Sequence, residues 1–408
     1  MGLRFTVRLV PDCPFRQRST SRFPFFNQIR LQNTSKKVWL SDVKDCNGGG
    51  LLPLGYRTKE KLPALNVDAL IKPAQFDNWV RSKKLQFSLH GQNDGEEEVL
   101  EFQVDSGEKV ATGTNAPNVR VRTIKSAVVM GCNEKLDVLL VAVKAYDSAG
   151  VVRELRARNR HLLKDDALCV LLQNGLGEVP QDGEEGVGDQ WQLANGVTFV
   201  GGRVLGFGKV LTSGLDAGMT YLAPFAGSEV GFASERVAED QAQLWNEPDA
   251  KMKAVAQVFL AAGIRCEVLE ASKMQGILWR KLIVNAAINP LASLLDAPNS
   301  SVASSEGSRR CVNMVVQEAL AVAQCEQIPL SCTQKELVED ILEVARNTGT
   351  NVCSMLADLR RGSRTEIDAI TGRIVAGGKR HGIATPTNEL LLSLIKALED
   401  EGTRKRSE

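Results

Sequence analysis

An apolar run at residues 272–295 carries three polar residues at an interval of four. They are Lys281, Asn285 and Asn289, and most of their neighbours are Leu, Ile, Val or Ala. Residues four apart lie on nearly the same side of an α-helix, so the run predicts a helix with one polar stripe. A helix this apolar on its other sides is usually buried. Because buried polar groups cost free energy unless they are paired, the stripe predicts a polar partner, and a bound ligand is one candidate.

Residues 136–175 carry the pattern of a parallel βαβ unit. Residues 136–143 and 167–175 are short apolar runs typical of strands that are buried on both faces. The stretch between them predicts a helix, so the two strands are expected to be neighbours in a parallel sheet. Three further strand-like segments follow residue 190. Upstream, residues 84–130 predict short strands with a hairpin or insertion near Asp94.

From about residue 248 the pattern predicts mainly helices. A first helix is expected to end at Gly263, and the polar-striped helix to end or kink near Pro290. Gly382 suits a helix C-terminus and Pro386 the start of a last helix, which is predicted to run through Glu399. The remaining helices are predicted over residues 307–328, 333–347 and 350–380, the last with a break at residue 362.

These elements divide the chain into an α/β nucleotide domain followed by an all-helical substrate domain. The predicted segments are an atypical basic N-terminal segment at 1–70, a Rossmann-like domain at 71–245, a helical domain at 246–400 and a charged tail at 401–408. The basic segment has eight Lys or Arg and a single acid, Asp12, in its first 40 residues. That composition fits an organelle transit peptide; a poorly ordered basic tail and a misassigned start are the alternatives.

Composition excludes several classes of function. A net charge of +1 and an aromatic content of 5% argue against a nucleic-acid partner, and no apolar run reaches the roughly 18 residues of a membrane span. The nine cysteines contain no C-x-x-C pair, which predicts reduced thiols and no metal site. With three histidines, a histidine-based metal site or catalytic triad is not expected. The predicted compartment is the cytoplasm, with the mitochondrion as the alternative.

Polar residues at strand ends and on the later helices are candidate site residues. Lys144 and Asn174 follow the two buried strands, and in open parallel sheets ligands bind at the carboxyl ends of strands; for Asn174 an ordinary turn is the alternative. Ser354 and Asp358 are four residues apart, and Glu366 borders an apolar stripe, where a buried carboxylate would need a partner. For these three residues the alternative is a solvated helix face.

The motifs from about residue 136 to 399 resemble those of the ketopantoate reductase (2-dehydropantoate 2-reductase) family, in its longer, fungal-like form. The resemblance covers about two thirds of the chain, and it is most specific in its third and fourth stretches. The matching stretches are VAVKA at 141–145, LLQNGLG at 171–177, WRKLIVNAAINPLASLLDAPN at 279–299, SMLADLRRGSRTEID at 354–368 and PTNELLLSLIKALE at 386–399.

The resemblance implies a fold, a reaction and a set of roles. The fold is a Rossmann-like N-terminal domain with an all-α C-terminal domain of the 6-phosphogluconate-dehydrogenase type. The reaction is the NADPH-dependent reduction of ketopantoate to pantoate, on the route to pantothenate and coenzyme A. The implied partner is a small ketoacid, with neither nucleic acid nor membrane, and the assembly considered is a homodimer. The implied roles are Lys281 as proton donor, Asn285, Asn289, Asn299 and Ser354 as substrate-binding residues, Glu366 as an acid close to the cofactor and to Lys281, and Lys144 and Asn174 as residues of the NADPH cleft.

One feature of the family is not recognisable in the sequence. Family members begin with a strand and a G-x-G-x-x-G loop, which holds the pyrophosphate at a helix N-terminus. Residues 1–70 show neither, and the Gly175 and Gly206 turns lack the third glycine. The favoured explanation is a misassigned start; a diverged loop and poor NADPH binding are the others. Two further functions therefore stay open: a non-catalytic or weakly active binding protein, and a reductase of another branched 2-ketoacid.

Overall fold

The structure is a computed structural model of all 408 residues. It describes the backbone of residues 3–9, 37–41, 65–71, 84–90, 97–105, 118–123, 136–158, 163–176, 192–206, 209–213, 218–225, 248–261 and 264–407. The chain divides into two compact units. The first comprises Met1–Gln173, Pro180–Ala226 and Ser234–Glu270, and the second comprises Asn174–Val179, Gly227–Ala233 and Ala271–Glu408.

The first unit is built on a mixed sheet of thirteen described strands. Their order across the sheet is β10-β11-β4-β5-β6-β3-β1-β2-β7-β8-β9-β12-β13. The unit also contains helices α1 (Ala145–Arg158) and α2 (Pro248–Ala261). The strands are β1 (Leu3–Leu9), β2 (Lys37–Ser41), β3 (Leu65–Ile71), β4 (Lys84–His90), β5 (Glu97–Asp105), β6 (Asn118–Thr123), β7 (Leu136–Val141), β8 (Leu163–Leu171), β9 (Gln192–Thr198), β10 (Gly201–Gly206), β11 (Lys209–Ser213), β12 (Met219–Pro224) and β13 (Arg265–Val268).

The βαβ unit predicted from residues 136–175 is present. Strands β7 and β8 pair in parallel, and α1 lies between them in the chain. Leu140 and Val170 are fully buried, as expected for strands covered on both faces. The predicted hairpin is also confirmed, because β4 and β5 pair antiparallel from His90 opposite Glu97. The residues that join those two strands lie outside the described part of the chain.

The first 71 residues contribute three strands, which the sequence had not indicated. Strand β2 pairs in parallel with β7, with Val38 opposite Val138, and β1 pairs antiparallel with both β2 and β3. A strand that was not recognisable in the sequence of residues 1–70 is therefore present and pairs in parallel with β7. The segment KVWLS carries too few alternating apolar positions to be recognised alone, and pairing with β7 supplies the backbone hydrogen bonds that place it. Gly48, Gly49 and Gly50 lie outside the described residues.

The second unit is helical. Its helices are α3 (Ala271–Leu294), α4 (Ser300–Ser304), α5 (Glu306–Cys325), α6 (Gln334–Asn347), α7 (Ser354–Arg360), α8 (Thr371–His381) and α9 (Pro386–Ser407), with a 3₁₀ turn at Ile367–Ala369 before α8. Thr333 begins α6 in a capping box, in which its hydroxyl accepts from the Glu336 N–H and the Glu336 side chain accepts from the Thr333 N–H. Among the described residues, no helix is long and apolar enough to cross a membrane.

Two predicted helix boundaries need correction. Of the two outcomes expected at Pro290, an end is wrong, because helix α3 continues through Pro290 to Leu294; a kink stays a prediction. A proline inside a helix loses one hydrogen bond and costs about 3 kcal/mol, and the burial of Ile288, Leu291 and Ala292 on this turn offsets that cost. The helix predicted over residues 350–380 with a break at residue 362 is the pair α7 and α8, so the break is confirmed. The last helix extends beyond the predicted end at Glu399, as far as Ser407.

Two glycines mark the predicted breaks. Gly362 has a φ of 60° and Gly382 a φ of 67°, a backbone region that glycine enters without the steric cost of a Cβ. Gly382 directly follows α8, and its N–H donates to the Gly378 carbonyl, so the predicted C-terminal role is confirmed.

Helix α2 and strand β13 group with the sheet, whereas the sequence placed the helical domain from residue 246. The physical reason is that β13 pairs in parallel with β12.

The core of the helical unit surrounds α3. Trp279 is completely buried, and Ile283, Ala286 and Ala287 follow it at zero exposure. Side chains from α5, α6, α7, α8 and α9 pack in the same cluster.

Away from this core, the buried carboxylate of Glu326 joins the end of α5 to α8 by accepting from Arg380 at 2.9 Å. Burial raises the pKa of Glu326, although the charges of Arg373, Arg380 and His381 act in the opposite direction.

Glu318 caps the N-terminus of α9 from the neighbouring helix α5. Its carboxylate accepts from the backbone N–H of Thr387 at 2.8 Å and of Asn388 at 3.0 Å, and from the Asn388 amide at 2.7 Å. The first N–H groups of a helix have no partner within the helix, and a negative charge there is stabilising. The Glu318 carboxylate on α5 therefore caps the N-terminus of α9, although the two helices are far apart in the sequence.

Replacing Glu318 with alanine is expected to lower the free energy of unfolding by about 1–3 kcal/mol, because two backbone donors lose their acceptor. Chemical denaturation followed by circular dichroism measures the loss. The neighbouring Gln317 is exposed on the same helix, so Gln317→Ala is the matched control and should change stability by less than about 0.5 kcal/mol. Equal effects of the two substitutions would contradict the capping role.

Candidate active site

The polar stripe on α3 is graded in burial along the helix. Lys281 and Asn285 are half-buried, and Asn289 is 7% exposed. The expectation that all three lie buried is therefore wrong for Lys281 and Asn285. Their neighbours Leu282 and Ala286 are buried, so Lys281 and Asn285 keep more exposed surface than the apolar residues that follow them in the chain. A half-buried lysine costs less free energy than a buried one, and it is open to an approaching ligand.

The turn of α3 that contains Asn289 is joined to the beginning of α7. The Cys353 thiol donates to the Asn289 carbonyl at 3.6 Å, and its sulfur lies 3.7 Å from the Ser293 hydroxyl. Cys353 also caps α7, because its sulfur accepts from the Leu356 N–H at 3.4 Å. Burial raises the pKa of the Cys353 thiol, so it keeps the proton that it donates. These contacts join the N-terminus of α7, where Ser354 is the first residue, to the turn of α3 that contains Asn289.

A second connection joins the C-terminal end of α7 to the residues just after α3. Arg360, in the last turn of α7, donates through Nε to Asp296 Oδ1 at 2.9 Å and through Nη2 to the Asp296 carbonyl at 3.3 Å. Ser354 is half-buried, and Asp358 is 2% exposed and hydrogen-bonded to Arg361. The alternative of a solvated helix face is therefore wrong for Asp358. Its carboxylate accepts from Arg361, the residue that directly follows α7.

Glu366 and Asn174 are hydrogen-bonded although they are far apart in the chain. The Asn174 side-chain amide donates to Glu366 Oε2 at 3.4 Å, and the two residues are 6% and 8% exposed. The Leu176 N–H also donates to the Ala369 carbonyl at 3.0 Å. The predicted position of Glu366 at the edge of a buried face is confirmed, and its carboxylate has the partner that such a position requires.

The turn at Asn174 depends on the glycine that follows it. Gly175 has a φ of 72°, and a Cβ at this position would lie 2.5 Å from the Ala369 carbonyl oxygen. The residue is therefore constrained both by its backbone conformation and by its neighbour. The turn expected as the alternative for Asn174 is present, and it brings the Asn174 amide to Glu366. The role of Asn174 in a cofactor site stays a prediction.

Lys144 belongs to the sheet unit and lies just beyond β7. It is 6% exposed, and its carbonyl accepts from the Asp147 N–H at 2.9 Å and from the Ser148 hydroxyl at 3.4 Å. Its backbone thus starts helix α1. The predicted position after a buried strand is present, while its part in binding a cofactor stays a prediction.

Asn299 is held by the segment that precedes α7. Its side-chain amide donates to the Thr348 hydroxyl at 2.9 Å, and its backbone N–H donates to the Asn351 carbonyl at 3.0 Å. The structure therefore places Asn299 against residues 348–351. Its predicted contact with substrate stays a prediction.

The residues that hold the site residues in place were not predicted from the sequence. Cys353 and Arg360 join α7 to the C-terminal end of α3. The Ala369 carbonyl accepts from the Leu176 N–H in the turn after Asn174. The Glu399 carboxylate accepts from the Thr365 N–H at 2.6 Å. Each of these contacts joins residues distant in sequence, so no local pattern indicates them. Among the described residues, no group of three or more His, Cys, Asp or Glu could hold a metal ion.

Two family models match the chain and together cover both units. The model of ketopantoate reductase PanE/ApbA matches residues 94–227, and that of the ketopantoate reductase PanE/ApbA C terminal matches residues 273–399. The curated 2-dehydropantoate 2-reductase of Pyrobaculum aerophilum is 31% identical over 269 residues, which is 66% of this chain and 79% of the relative. That of Vibrio cholerae is 28% identical over 294 residues, which is 71% of this chain and 88% of the relative.

Solved structures show the same fold. A PanE/ApbA family ketopantoate reductase from Ralstonia eutropha has a TM-score of 0.61 at 22% identity, covering 88% of this chain and 97% of its own. A D-mandelate dehydrogenase has a TM-score of 0.63 at 20% identity over the same shares. The predicted fold class, a Rossmann-like domain followed by a helical domain, is confirmed. Because two models of this family match residues 94–227 and 273–399, and a 31% identical 2-dehydropantoate 2-reductase is covered over 79% of its length, this chain belongs to the ketopantoate reductase family of oxidoreductases.

Proposed function

We propose that the protein reduces 2-dehydropantoate (ketopantoate) to pantoate, with NADPH as the hydride donor, in the biosynthesis of pantothenate and coenzyme A. The observation that carries this proposal is the row of Lys281, Asn285 and Asn289 on α3, of which Lys281 and Asn285 are half-buried and Asn289 is 7% exposed. A ketoacid with carboxylate, keto and hydroxyl groups needs a cation and several groups that both donate and accept hydrogen bonds. The family to which the chain belongs points to the same substrate.

Lys281 is the residue we assign to the keto oxygen. When the ketone is reduced, negative charge develops on that oxygen, and a nearby ammonium group stabilises the charge and transfers a proton. The fully buried indole of Trp279 and the side chain of Leu282 fix the helix on either side of Lys281. The ammonium group therefore extends from a rigid element, and a catalytic group requires such placement.

We assign Asn285, Asn289, Asn299 and Ser354 to the carboxylate and hydroxyl groups of the substrate. Asn289 and Ser354 are joined through Cys353, which donates to the Asn289 carbonyl and begins α7. This connection supports a shared role for the two side chains, because substrate-binding groups must keep a constant separation. Asn299 enters this proposal through the family resemblance.

We assign Lys144, Asn174 and Glu366 to the cofactor. The hydrogen bond between Asn174 and Glu366 gives a fixed carboxylate that can accept from ribose hydroxyl or amide groups. Glycine at 175 keeps the backbone of this turn free of a side chain. A bound nicotinamide cofactor supplies the hydride; the protein's own residues bind it, orient it and hold the proton at Lys281.

Two alternatives are kept because specific observations favour them. The sequence shows no G-x-G-x-x-G loop in residues 1–70, which favours a weakly active or non-catalytic binding protein. The D-mandelate dehydrogenase of similar fold was solved with NADH and anilino(oxo)acetate, which favours testing NADH and other branched or aryl 2-ketoacids. The proposed assembly is a homodimer, as named for the ketopantoate reductase of Staphylococcus aureus. The compartment stays a prediction.

The full-length protein is expected to oxidise NADPH in the presence of ketopantoate. The decisive assay follows absorbance at 340 nm with a panel of 2-ketoacids and with NADPH or NADH, and binding is followed by nucleotide fluorescence. The largest kcat/KM with ketopantoate and NADPH supports the proposal. A larger value with another ketoacid or with NADH changes the assigned substrate or cofactor. Nucleotide binding without turnover of any ketoacid supports a binding protein.

A further inference from the structure

The segment that carries Glu366 is attached to the last helix through charged side chains. The segment comprises residues 364–369 and lies between α7 and α8. The carboxylate of Glu399 on α9 accepts from the Thr365 N–H at 2.6 Å, immediately before Glu366 in the chain. The carboxylate of Asp368, two residues after Glu366, accepts from the Lys396 ammonium at 2.6 Å. Glu366 is thus held on both sides.

Lys396 connects the two attachment points. Besides donating to Asp368, its ammonium group donates to Glu399 at 3.3 Å. We call Glu399, Lys396 and Asp368 the C-terminal clamp. The side chain of Glu399 is 10% exposed, whereas those of Lys396 and Asp368 are 39% and 42% exposed. The Glu399 contact is therefore the better protected of the two, and the Lys396 contact is partly screened by solvent.

The charged groups of the clamp stabilise one another's ionised forms. Burial alone would raise the pKa of Asp368, but the hydrogen bonds and charges of Lys396 and Arg364 outweigh burial and lower it. Burial alone would lower the pKa of Lys396, but the hydrogen bond to Asp368 and the charges of Glu399 and Asp368 outweigh burial and raise it. Asp368 therefore stays ionised to lower pH, and Lys396 to higher pH, than in an unfolded chain.

The clamp acts on a segment with little freedom of its own. Thr365 is completely buried, and its hydroxyl accepts from the Ile367 N–H at 3.1 Å. The Glu366 carbonyl accepts from the N–H groups of Ala369 and Ile370, both at 3.1 Å. The backbone on either side of Glu366 is therefore coupled to its attachment points, so a displacement at Thr365 or Asp368 is passed to the Glu366 carboxylate.

We propose that Glu399 and Lys396 are positioning residues for Glu366. They hold segment 364–369 so that the Glu366 carboxylate meets the Asn174 amide, and they touch neither substrate nor cofactor themselves. This inference rests on the proposed function, because it assumes that the Glu366 carboxylate serves catalysis or cofactor binding. A misplaced catalytic group can lower the rate by tenfold or more. Loss of the clamp is therefore expected to lower kcat/KM markedly, with only a small change in the free energy of unfolding.

A double-mutant cycle distinguishes positioning from a general contribution to folding. Glu399→Ala removes the acceptor of the Thr365 N–H and is expected to lower kcat/KM about tenfold when Glu366 is present. The same substitution in a Glu366→Gln background is expected to cost less than about twofold, because effects that act through one residue are not additive. An equal loss in both backgrounds, or no loss with Glu366 present, overturns the proposal.

Conservative and control variants complete the cycle. Glu399→Gln keeps an oxygen that accepts from Thr365, so it is expected to retain activity within about threefold. Lys396→Met removes the connection to Asp368 and is expected to behave like Glu399→Ala with a smaller loss. Glu401 lies on the same helix and pairs with Arg404 at the surface, so Glu401→Ala is the matched control. A loss of activity in Glu401→Ala equal to that in Glu399→Ala contradicts a specific role.

Hydrogen exchange separates failure of this inference from failure of the proposed function. Glu399→Ala is expected to speed amide exchange in residues 365–370 at least tenfold, while Glu401→Ala leaves it unchanged, because Thr365 loses its acceptor. Absence of reductase activity in the unaltered protein would refute the proposed function and leave the exchange measurement decisive for the clamp. Unchanged exchange in Glu399→Ala would refute the clamp whatever the activity.

Discussion

Replacing Lys281 with alanine is expected to lower kcat/KM for ketoacid reduction by about two orders of magnitude or more, because the developing charge on the keto oxygen loses both its cation and its proton source. Steady-state kinetics with NADPH and ketopantoate measure the loss. Since Lys281 is half-buried and lies on the accessible side of α3, the substitution should leave stability within about 1 kcal/mol of the unaltered protein. The loss should appear in kcat more than in NADPH affinity.

Lys273 offers a matched control for this experiment. It lies two turns earlier on the same helix and is exposed, so Lys273→Ala removes the same charge from the same element. It is expected to change kcat/KM by less than about twofold. Near-normal turnover in Lys281→Ala would refute the role assigned to Lys281. A comparable loss in both variants would indicate a general electrostatic effect.

Replacing Gly175 with alanine is expected to lower the free energy of unfolding of the helical unit by about 2–5 kcal/mol. A φ of 72° costs an L-residue about 1–2 kcal/mol, and the new Cβ would lie 2.5 Å from the Ala369 carbonyl oxygen. Relief of that clash requires the turn to move away from residues 366–369. The Asn174 amide would then leave Glu366, so weaker nucleotide binding is expected together with the loss of stability.

Gly150 provides the opposite case with the same chemical change. It lies within helix α1, and a Cβ there would meet nothing within 4 Å. Gly150→Ala is expected to be neutral or to stabilise by up to about 1 kcal/mol, because alanine loses less backbone entropy on folding. Urea denaturation and fluorescence titration with NADPH measure both variants. Equal stability of the two variants would contradict the close approach between Gly175 and Ala369.

Local patterns in the sequence predicted the elements whose signal is contained in a few turns. The four-residue interval of Lys281, Asn285 and Asn289 predicted the helix and its polar side, and Gly382 marked the end of α8. The hairpin at His90 and Glu97 followed from short strand-like stretches and a charged turn around Asp94 to Glu98. These features depend on the hydrogen-bonding period of a helix or a strand, and that period is repeated in the chain itself.

The errors arise where distant parts of the chain override a local preference. Pro290 was expected to end or kink a helix, but buried neighbours on its turn allow α3 to continue to Leu294. The segment at Lys37–Ser41 has a weak strand pattern, but a parallel neighbour pairs with it. Lys281 was expected to be buried because the helix is apolar around it, and the packing of the other helices leaves that side half-exposed. In each case the deciding free energy comes from tertiary contacts.

The fold class, the polar stripe on α3 and the candidate residues could all be predicted from the amino-acid sequence. Which of those residues contact one another could not, because that depends on how the helices and strands pack. Asn174 and Glu366 are 192 residues apart and share a hydrogen bond, and Thr365 and Glu399 are 34 apart. The physical reason is that a helix or strand is specified by contacts between near neighbours, whereas the meeting of two side chains depends on the packing of every element between them.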